Sequence, residues 1–271
     1  MSVAPGQPIA VWCDGDLRSP RSPDPGLLSG MGVFETLLVT AGTAFAPTRH
    51  LRRLQEGAAR MHLPIPRSET LHAAVDSLTA QCRGVQFARL RLTWTPGPSG
   101  AGCLLGTVAA FTPQERVRAV RSPYRRNEYS ALTGVKSTSY AENLLALRHA
   151  QSLGADEAIL ANSRGDLCEG ATSNVFIEQR GELLTPPLSS GCLPGVTRAL
   201  ALEWGREAGL PIRATGLPIS VMNTTEAAAV TSALKGVVAL TAIDGRPLKL
   251  GPLTRELAAE FRRRRRRTRD P

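Results

Sequence analysis

Between Thr40 and Leu51 the chain switches from an extended pattern to a helical one, and that switch limits the folds open to it. Upstream, Gly30 to Thr40 is glycine-rich at its start and then β-branched or apolar. Ala41-Gly42-Thr43 makes a turn and Ala44 to Pro47 pairs back, which predicts two strands of a small antiparallel sheet, one of them carrying a lone Glu35. Downstream, Leu51, Leu54, Ala58 and Met61 recur at helical spacing, with Thr48 as a cap and Pro64 and Pro66 as terminators. A second helix is expected over 68–82. Gln86 to Thr95 then alternates, with Arg89, Arg91 and Thr93 on one side and Leu90, Leu92 and Trp94 on the other, the pattern of a half-buried strand.

The flanking segments extend this α+β reading. Residues 8–13 read as a strand with a turn and hairpin return at Asp14-Gly15, residues 19–26 as a loop, and Leu104 to Phe111 as a returning strand. Residues 123–134 lack periodicity and predict a linker. Beyond it, helices are expected over 141–153, 196–208 and 254–262, and strands over 158–162, 175–177, 211–214 and 227–232, with one more ending at Thr185. The predicted organisation is a small N-terminal α/β domain over 1–122, the linker at 123–134, a larger mixed α/β C-terminal domain over 135–261, and a solvated basic tail over 262–271.

Composition excludes several classes of function. A hydrophobic fraction of 42% suits a soluble globular protein, no apolar run is long enough to span a bilayer, and no secretory signal precedes residue 8, so a cytoplasmic, membrane-free protein is expected. The five cysteines form no CxxC pair and the four histidines no HExxH or HxH pattern, which predicts reduced thiols and no metal site. The net charge of +10 is concentrated in the arginine run at 262–267. No aromatic-basic interleaving accompanies it, so no specific nucleic-acid partner is expected.

The basic residues are unusual in another way. Only Lys136, Lys235 and Lys249 are lysines, against thirty arginines. Arginine keeps its proton near neutral pH and cannot serve as an amine nucleophile. Lys136 follows a glycine and precedes a helix, and Lys235 follows a strand; position alone does not separate them. Glu169 sits in a polar, glycine-flanked stretch. Gly195-Val196-Thr197 opens a helix, where free N–H groups and the positive dipole end suit a phosphate, and Arg53 offers a fork-shaped cation. An amine, a carboxylate and a phosphate cradle together are what pyridoxal 5'-phosphate requires.

The stretches GMGVFETLLV (30–39), TRHLRRL (48–54), GVKSTSYAENLLA (134–146), GADEAIL (154–160), GDLCEGATSNVF (165–176), LLTPPL (183–188), GCLPGVTR (191–198) and TSALKGVV (231–238) span nearly the whole chain. In that order they resemble the fold-type IV pyridoxal-phosphate enzymes, the class IV aminotransferase family. The resemblance implies a two-domain homodimer in which Lys136 carries the cofactor and shuttles protons and Glu169 pairs with the pyridine nitrogen. It implies that Arg53, Val196, Thr197, Ser232 and Ala233 hold the phosphate and that Tyr140 lies near the cofactor's phenolic oxygen. It also demotes Lys235 to a neighbour of the phosphate turn.

Two positions depart from the family pattern: Met31 stands where Asp is common, and Ala239 where Pro is usual. The loop 96–102 lacks the Arg or His with which D-amino acid aminotransferases hold the substrate carboxylate. Glu35 and Arg89 are the expected substrate contacts. The expected reaction is that of an aminodeoxychorismate lyase, releasing pyruvate and 4-aminobenzoate, with a branched-chain or other amino acid transaminase as the alternative.

Overall fold

A computed structural model of the chain describes residues 8–13 and 24–271. The Asp14-Gly15 turn, its hairpin return and residues 19–23 of the expected loop lie outside the described residues. The chain divides into two compact units, residues 1–113 with 135–140 and 268–271, and residues 114–134 with 141–267.

Unit 1 contains β1 (Pro8–Cys13), α1 (Pro25–Ser29), β2 (Val33–Thr40), β3 (Thr43–Ala44), α2 (Pro47–Arg60), α3 (Ser68–Ala80), β4 (Phe87–Thr95) and β5 (Cys103–Ala110). The strands form one antiparallel sheet in the order β1-β5-β4-β2-β3. Strand β1 pairs with β5 in this sheet. Register sets the chemistry of the two faces. Glu35 opposes Leu92 and Leu37 opposes Leu90, so these share one face, while Phe34 opposes Thr93 and Thr36 opposes Arg91 on the other. Leu37, Leu90 and Leu92 are fully buried, as are Leu51 and Leu54 of α2 and Leu71 and Leu78 of α3. The apolar stripes of the two helices cover that face.

The segment 135–140, expected to open the C-terminal domain, packs in unit 1. It lies along the start of β2: the Phe34 N–H donates to the Lys136 carbonyl at 2.8 Å, and the Thr138 N–H donates to the Gly32 carbonyl at 2.8 Å. Ser137 bridges to Val33 in antiparallel sense.

Unit 2 contains β6 (Val117–Arg126), α4 (Ala141–Ser152), β7 (Glu157–Asn162), β8 (Leu167–Gly170), β9 (Asn174–Gln179), β10 (Glu182–Thr185), α5 (Val196–Glu207), β11 (Ile212–Ala214), β12 (Ala227–Ser232), β13 (Gly236–Ile243), β14 (Arg246–Pro247) and α6 (Pro252–Arg267). Its mixed sheet runs β11-β10-β9-β12-β13-β6-β7-β8, with β14 paired to β13. Val175, Ile177, Ala228, Val230 and Leu240 form one core around these central strands, and α4 packs Ala146 and Ala150 onto β7 in a second.

Three elements differ from the sequence expectation. The proposed linker begins as the end of β6, a strand parallel to both β13 and β7. Its apolar Val117, Ala119 and Val120 alternate with arginines, which hides it. Strand β13 lies where the sequence pattern predicts no strand. The basic tail is not loose: 262–267 are the last turns of α6, where Arg264 pairs with Glu260 at 2.6 Å and with Glu207. Phe261 is buried against Trp204, which anchors the helix where the arginines begin.

Residues 268–271 belong to unit 1 and serve α2. The residue before that helix, Ala46, provides no side-chain cap. Asp270 takes the part instead, accepting from the Thr48 N–H at 3.1 Å and from Thr48 Oγ1 at 2.5 Å. Asp270→Ala is therefore expected to cost about 1 kcal/mol, measured as a lower midpoint in urea unfolding with the m-value unchanged.

Candidate active site

The three lysines have different environments. Lys249 is exposed and pairs with Glu226 at 2.8 Å. Lys235 is mostly buried, with its Nζ 3.5 Å from Glu157. Lys136 instead lies against aromatic rings, its Nζ 4.4 Å from the Phe34 centroid and 5.3 Å from that of Tyr140. Those two rings meet edge to face at 5.1 Å. The backbone bonds from Lys136 and Thr138 to the start of β2 fix this arrangement.

Arg91 joins the same cluster. Its guanidinium carbon stacks 3.8 Å from the Phe34 centroid, and its Nε donates to Thr93 Oγ1 at 3.2 Å. It has no carboxylate partner among the described residues, and burial holds its pKa below the usual arginine value. Arg89, the expected substrate contact, is exposed two residues away. Both arginines occupy the polar face of β4, but only Arg91 reaches the Phe34 ring. The missed signal was register: Arg91 lies opposite Thr36, one step along the face from Phe34.

Glu35, the other expected substrate contact, faces away from this cluster. It lies on the helix-covered face, is 1% exposed, and has both oxygens engaged. Arg53 donates to it through Nε at 2.7 Å and Nη2 at 2.8 Å, and His50 Nδ1 is 2.6 Å away. Burial alone would push the carboxyl up, but the charges and hydrogen bonds of Arg53 and His50 outweigh it and hold the pKa at about 2. Burial pushes His50 below its usual value despite Glu35. Two donors of Arg53, the expected phosphate ligand, are thus committed to Glu35.

In unit 2 the expected residues gather at one end of the sheet. Glu169, on β8 and nearly buried, accepts from Arg126 Nε at 3.2 Å and from the Leu193 N–H at 2.9 Å. Burial, reinforced by the Glu169 charge, raises the thiol pKa values of Cys168 and Cys192, which keeps both as neutral thiols. Asn174 Nδ2 donates to the Leu193 carbonyl at 2.9 Å and lies opposite Thr231 in the β9–β12 ladder. Gly195 sits at the N-terminus of α5 with no side-chain cap, and a Cβ there would strike Asn174 Oδ1.

These features fit the phosphate of pyridoxal phosphate. Val196 and Thr197 begin a 12-residue helix whose first N–H groups lack a side-chain acceptor. Thr231 Oγ1, buried just before Ser232 and Ala233, has no hydrogen-bond partner among the described residues. Among the described residues no cluster of potential ligands could hold a metal, and no helix is long and apolar enough to cross a membrane.

This chain belongs to the amino-transferase class IV family, whose model matches residues 32–243. It is a fold-type IV enzyme that uses pyridoxal phosphate. It is 28% identical to a putative branched-chain-amino-acid aminotransferase of Methanocaldococcus jannaschii, covering 88% of each chain. It is 29% identical to the bifunctional aminodeoxychorismate lyase / D-amino acid transaminase of Mycobacterium tuberculosis, covering 93% of this chain and 97% of that one. Among solved structures, it is similar to a hypothetical aminotransferase from Mycobacterium tuberculosis in its PLP-bound form. That match has a TM-score of 0.85 and 27% identity over 93% of this chain and 97% of the other.

Glu35 supplies a test by pH. Its folded pKa lies below the ordinary 4.5, so its contribution to stability is complete above about 4.5 and is lost as pH falls toward about 2. Glu35→Gln should remove that segment of the stability–pH profile and cost about 3 kcal/mol at neutral pH, read from thermal melts across the acid range. Lys136→Ala should abolish the visible absorbance of covalently held cofactor while leaving the melting temperature of the cofactor-free protein unchanged.

Proposed function

We propose that this enzyme is a lyase that converts 4-amino-4-deoxychorismate to 4-aminobenzoate and pyruvate. The observation that carries the reading is the placement of Lys136 Nζ and the Arg91 guanidinium on one ring, that of Phe34. A half-buried arginine without an acidic partner among the described residues suits a substrate carboxylate. A carboxylate bound there brings the neighbouring part of the same molecule to the lysine amine.

When bound, pyridoxal phosphate supplies an aldehyde for the substrate amine and a ring that takes up the charge of a deprotonated carbon. The chain's own residues do the rest. Lys136 Nζ takes the proton from the amine-bearing ring carbon, the bond from the neighbouring ring carbon to the enolpyruvyl oxygen breaks, and the carbocycle becomes aromatic as enolpyruvate leaves and takes up a proton to become pyruvate. Arg91 orients the substrate carboxylate, and Phe34 and Tyr140 wall the amine with apolar surface. Glu169 would hold the pyridine nitrogen, and the start of α5 with Ser232 and Ala233 would hold the phosphate. The loop 96–102 adds no cation, so the carboxylate contact rests on Arg91.

A transaminase of branched-chain or related amino acids is the second reading, favoured by the similarity to the putative branched-chain-amino-acid aminotransferase of Methanocaldococcus jannaschii. The same lysine and carboxylate would serve both: after Lys136 takes the proton, a lyase substrate expels its enolpyruvyl group, whereas in a transaminase the proton would be returned to the cofactor. Incubation with aminodeoxychorismate and no 2-oxo acid should yield 4-aminobenzoate catalytically. Turnover only when an amino acid and a 2-oxo acid are both present would overturn the lyase reading. Arg91→Ala should lower kcat/KM on the order of 10²-fold, mainly through KM, whereas Arg89→Ala should leave it unchanged.

A further inference from the structure

Glu157 is the first residue of β7 and is fully buried. A carboxylate in that position is costly unless donors surround it. Oε1 accepts from the Ala158 N–H at 3.1 Å and the Thr172 N–H at 3.2 Å. Oε2 accepts from Thr172 Oγ1 at 2.7 Å and Ser173 Oγ at 2.8 Å, with Lys235 Nζ at 3.5 Å. Gly170 makes this packing possible, since a Cβ there would meet Ser173 Oγ and lie 3.1 Å from Glu157 Cδ.

The origin of those donors matters more than their number. Thr172 and Ser173 form the loop that joins β8, which carries Glu169, to β9, which begins at Asn174. Lys235 closes the turn after β12, where its N–H donates to Ser232 Oγ at 3.3 Å. Neutral donors already satisfy both carboxylate oxygens, so Lys235 is not needed to keep Glu157 hydrogen-bonded. What the lysine adds is a tie between the Ser232–Lys235 turn and the 171–173 loop, and a positive charge beside that turn.

We infer that Glu157 and Lys235 are positioning residues that hold these two segments in the arrangement that receives the cofactor phosphate. The inference rests on the placement of the phosphate at the start of α5 and the Ser232-Ala233 turn. It gives Lys235 a role distinct from that of Lys136: a structural cation whose partner is a buried carboxylate.

The experiment titrates cofactor-free enzyme with pyridoxal phosphate and with pyridoxal, which lacks the phosphate, reading each dissociation constant by absorbance. Lys235→Met should weaken pyridoxal phosphate roughly tenfold and leave pyridoxal binding and the melting temperature of the cofactor-free protein unchanged. Lys235→Arg should restore affinity, and Glu157→Gln should reproduce the loss if it folds. Wild-type affinity in Lys235→Met, or an equal loss for both ligands, overturns the inference whatever Glu157→Gln does. Gly195→Ala separates this failure from failure of the phosphate placement. If it abolishes the preference for the phosphorylated ligand while Lys235→Met preserves it, the placement stands and the role of Lys235 falls. If Gly195→Ala leaves the preference intact, the placement itself is wrong and the inference falls with it.

Discussion

Strand β2 carries incompatible chemistry on its two faces, and the two-residue period of an extended chain keeps them apart. Glu35 points under α2, where a carboxylate survives only because Arg53 and His50 reach it from that helix. Phe34 points the other way and gathers Arg91, Lys136 and Tyr140 around its ring. A one-residue slip of β2 against β4 would exchange these faces, burying the aromatic ring under the helix and stranding the carboxylate. The ion pairs beneath the sheet therefore protect the register on which the chemistry above it depends.

Unit 2 solves a similar problem with hydrogen bonds in place of one tight ion-pair cluster. Adjacent pairing of β9 and β12 brings Asn174 opposite Thr231, although 57 residues separate them in sequence. Asn174 then holds the Leu193 carbonyl while the Leu193 N–H holds Glu169. One short segment before α5 thus connects the carboxylate on β8 to the helix start. Glu157 holds the 171–173 loop with hydroxyl donors and meets Lys235 from the turn after β12, a device that needs small side chains at 172 and 173 and none at 170.

Much of this was legible in the sequence where local pattern and global fold agree. The alternation of 86–95 and the helical spacing from Leu51 to Met61 both appear as written. The family motifs also carry the cofactor, because an amine, a carboxylate and a helix start without a side-chain cap occur in order. The failures have physical causes. The place of Glu35 under α2 is hidden because a sequence does not state which face of a strand a helix covers, whereas Arg89 and Arg91 share a face and differ only in which of them reaches the Phe34 ring. Strand β6 is hidden because its arginines break the apolar run, and the C-terminal arginines read as a solvated tail because Glu207, one of the two acidic partners of Arg264, lies far away in sequence.

The cap on α2 comes from a residue 222 positions downstream, and the segment that presents Lys136 is also added to unit 1 after the rest of its sheet has been made. During synthesis, unit 1 therefore cannot mature in the order in which its residues leave the ribosome. Its sheet and helices precede the pieces that finish it, and the whole of unit 2 is translated between the first helix turn of α2 and the carboxylate that steadies it. The topology makes completion of the first unit conditional on production of the second.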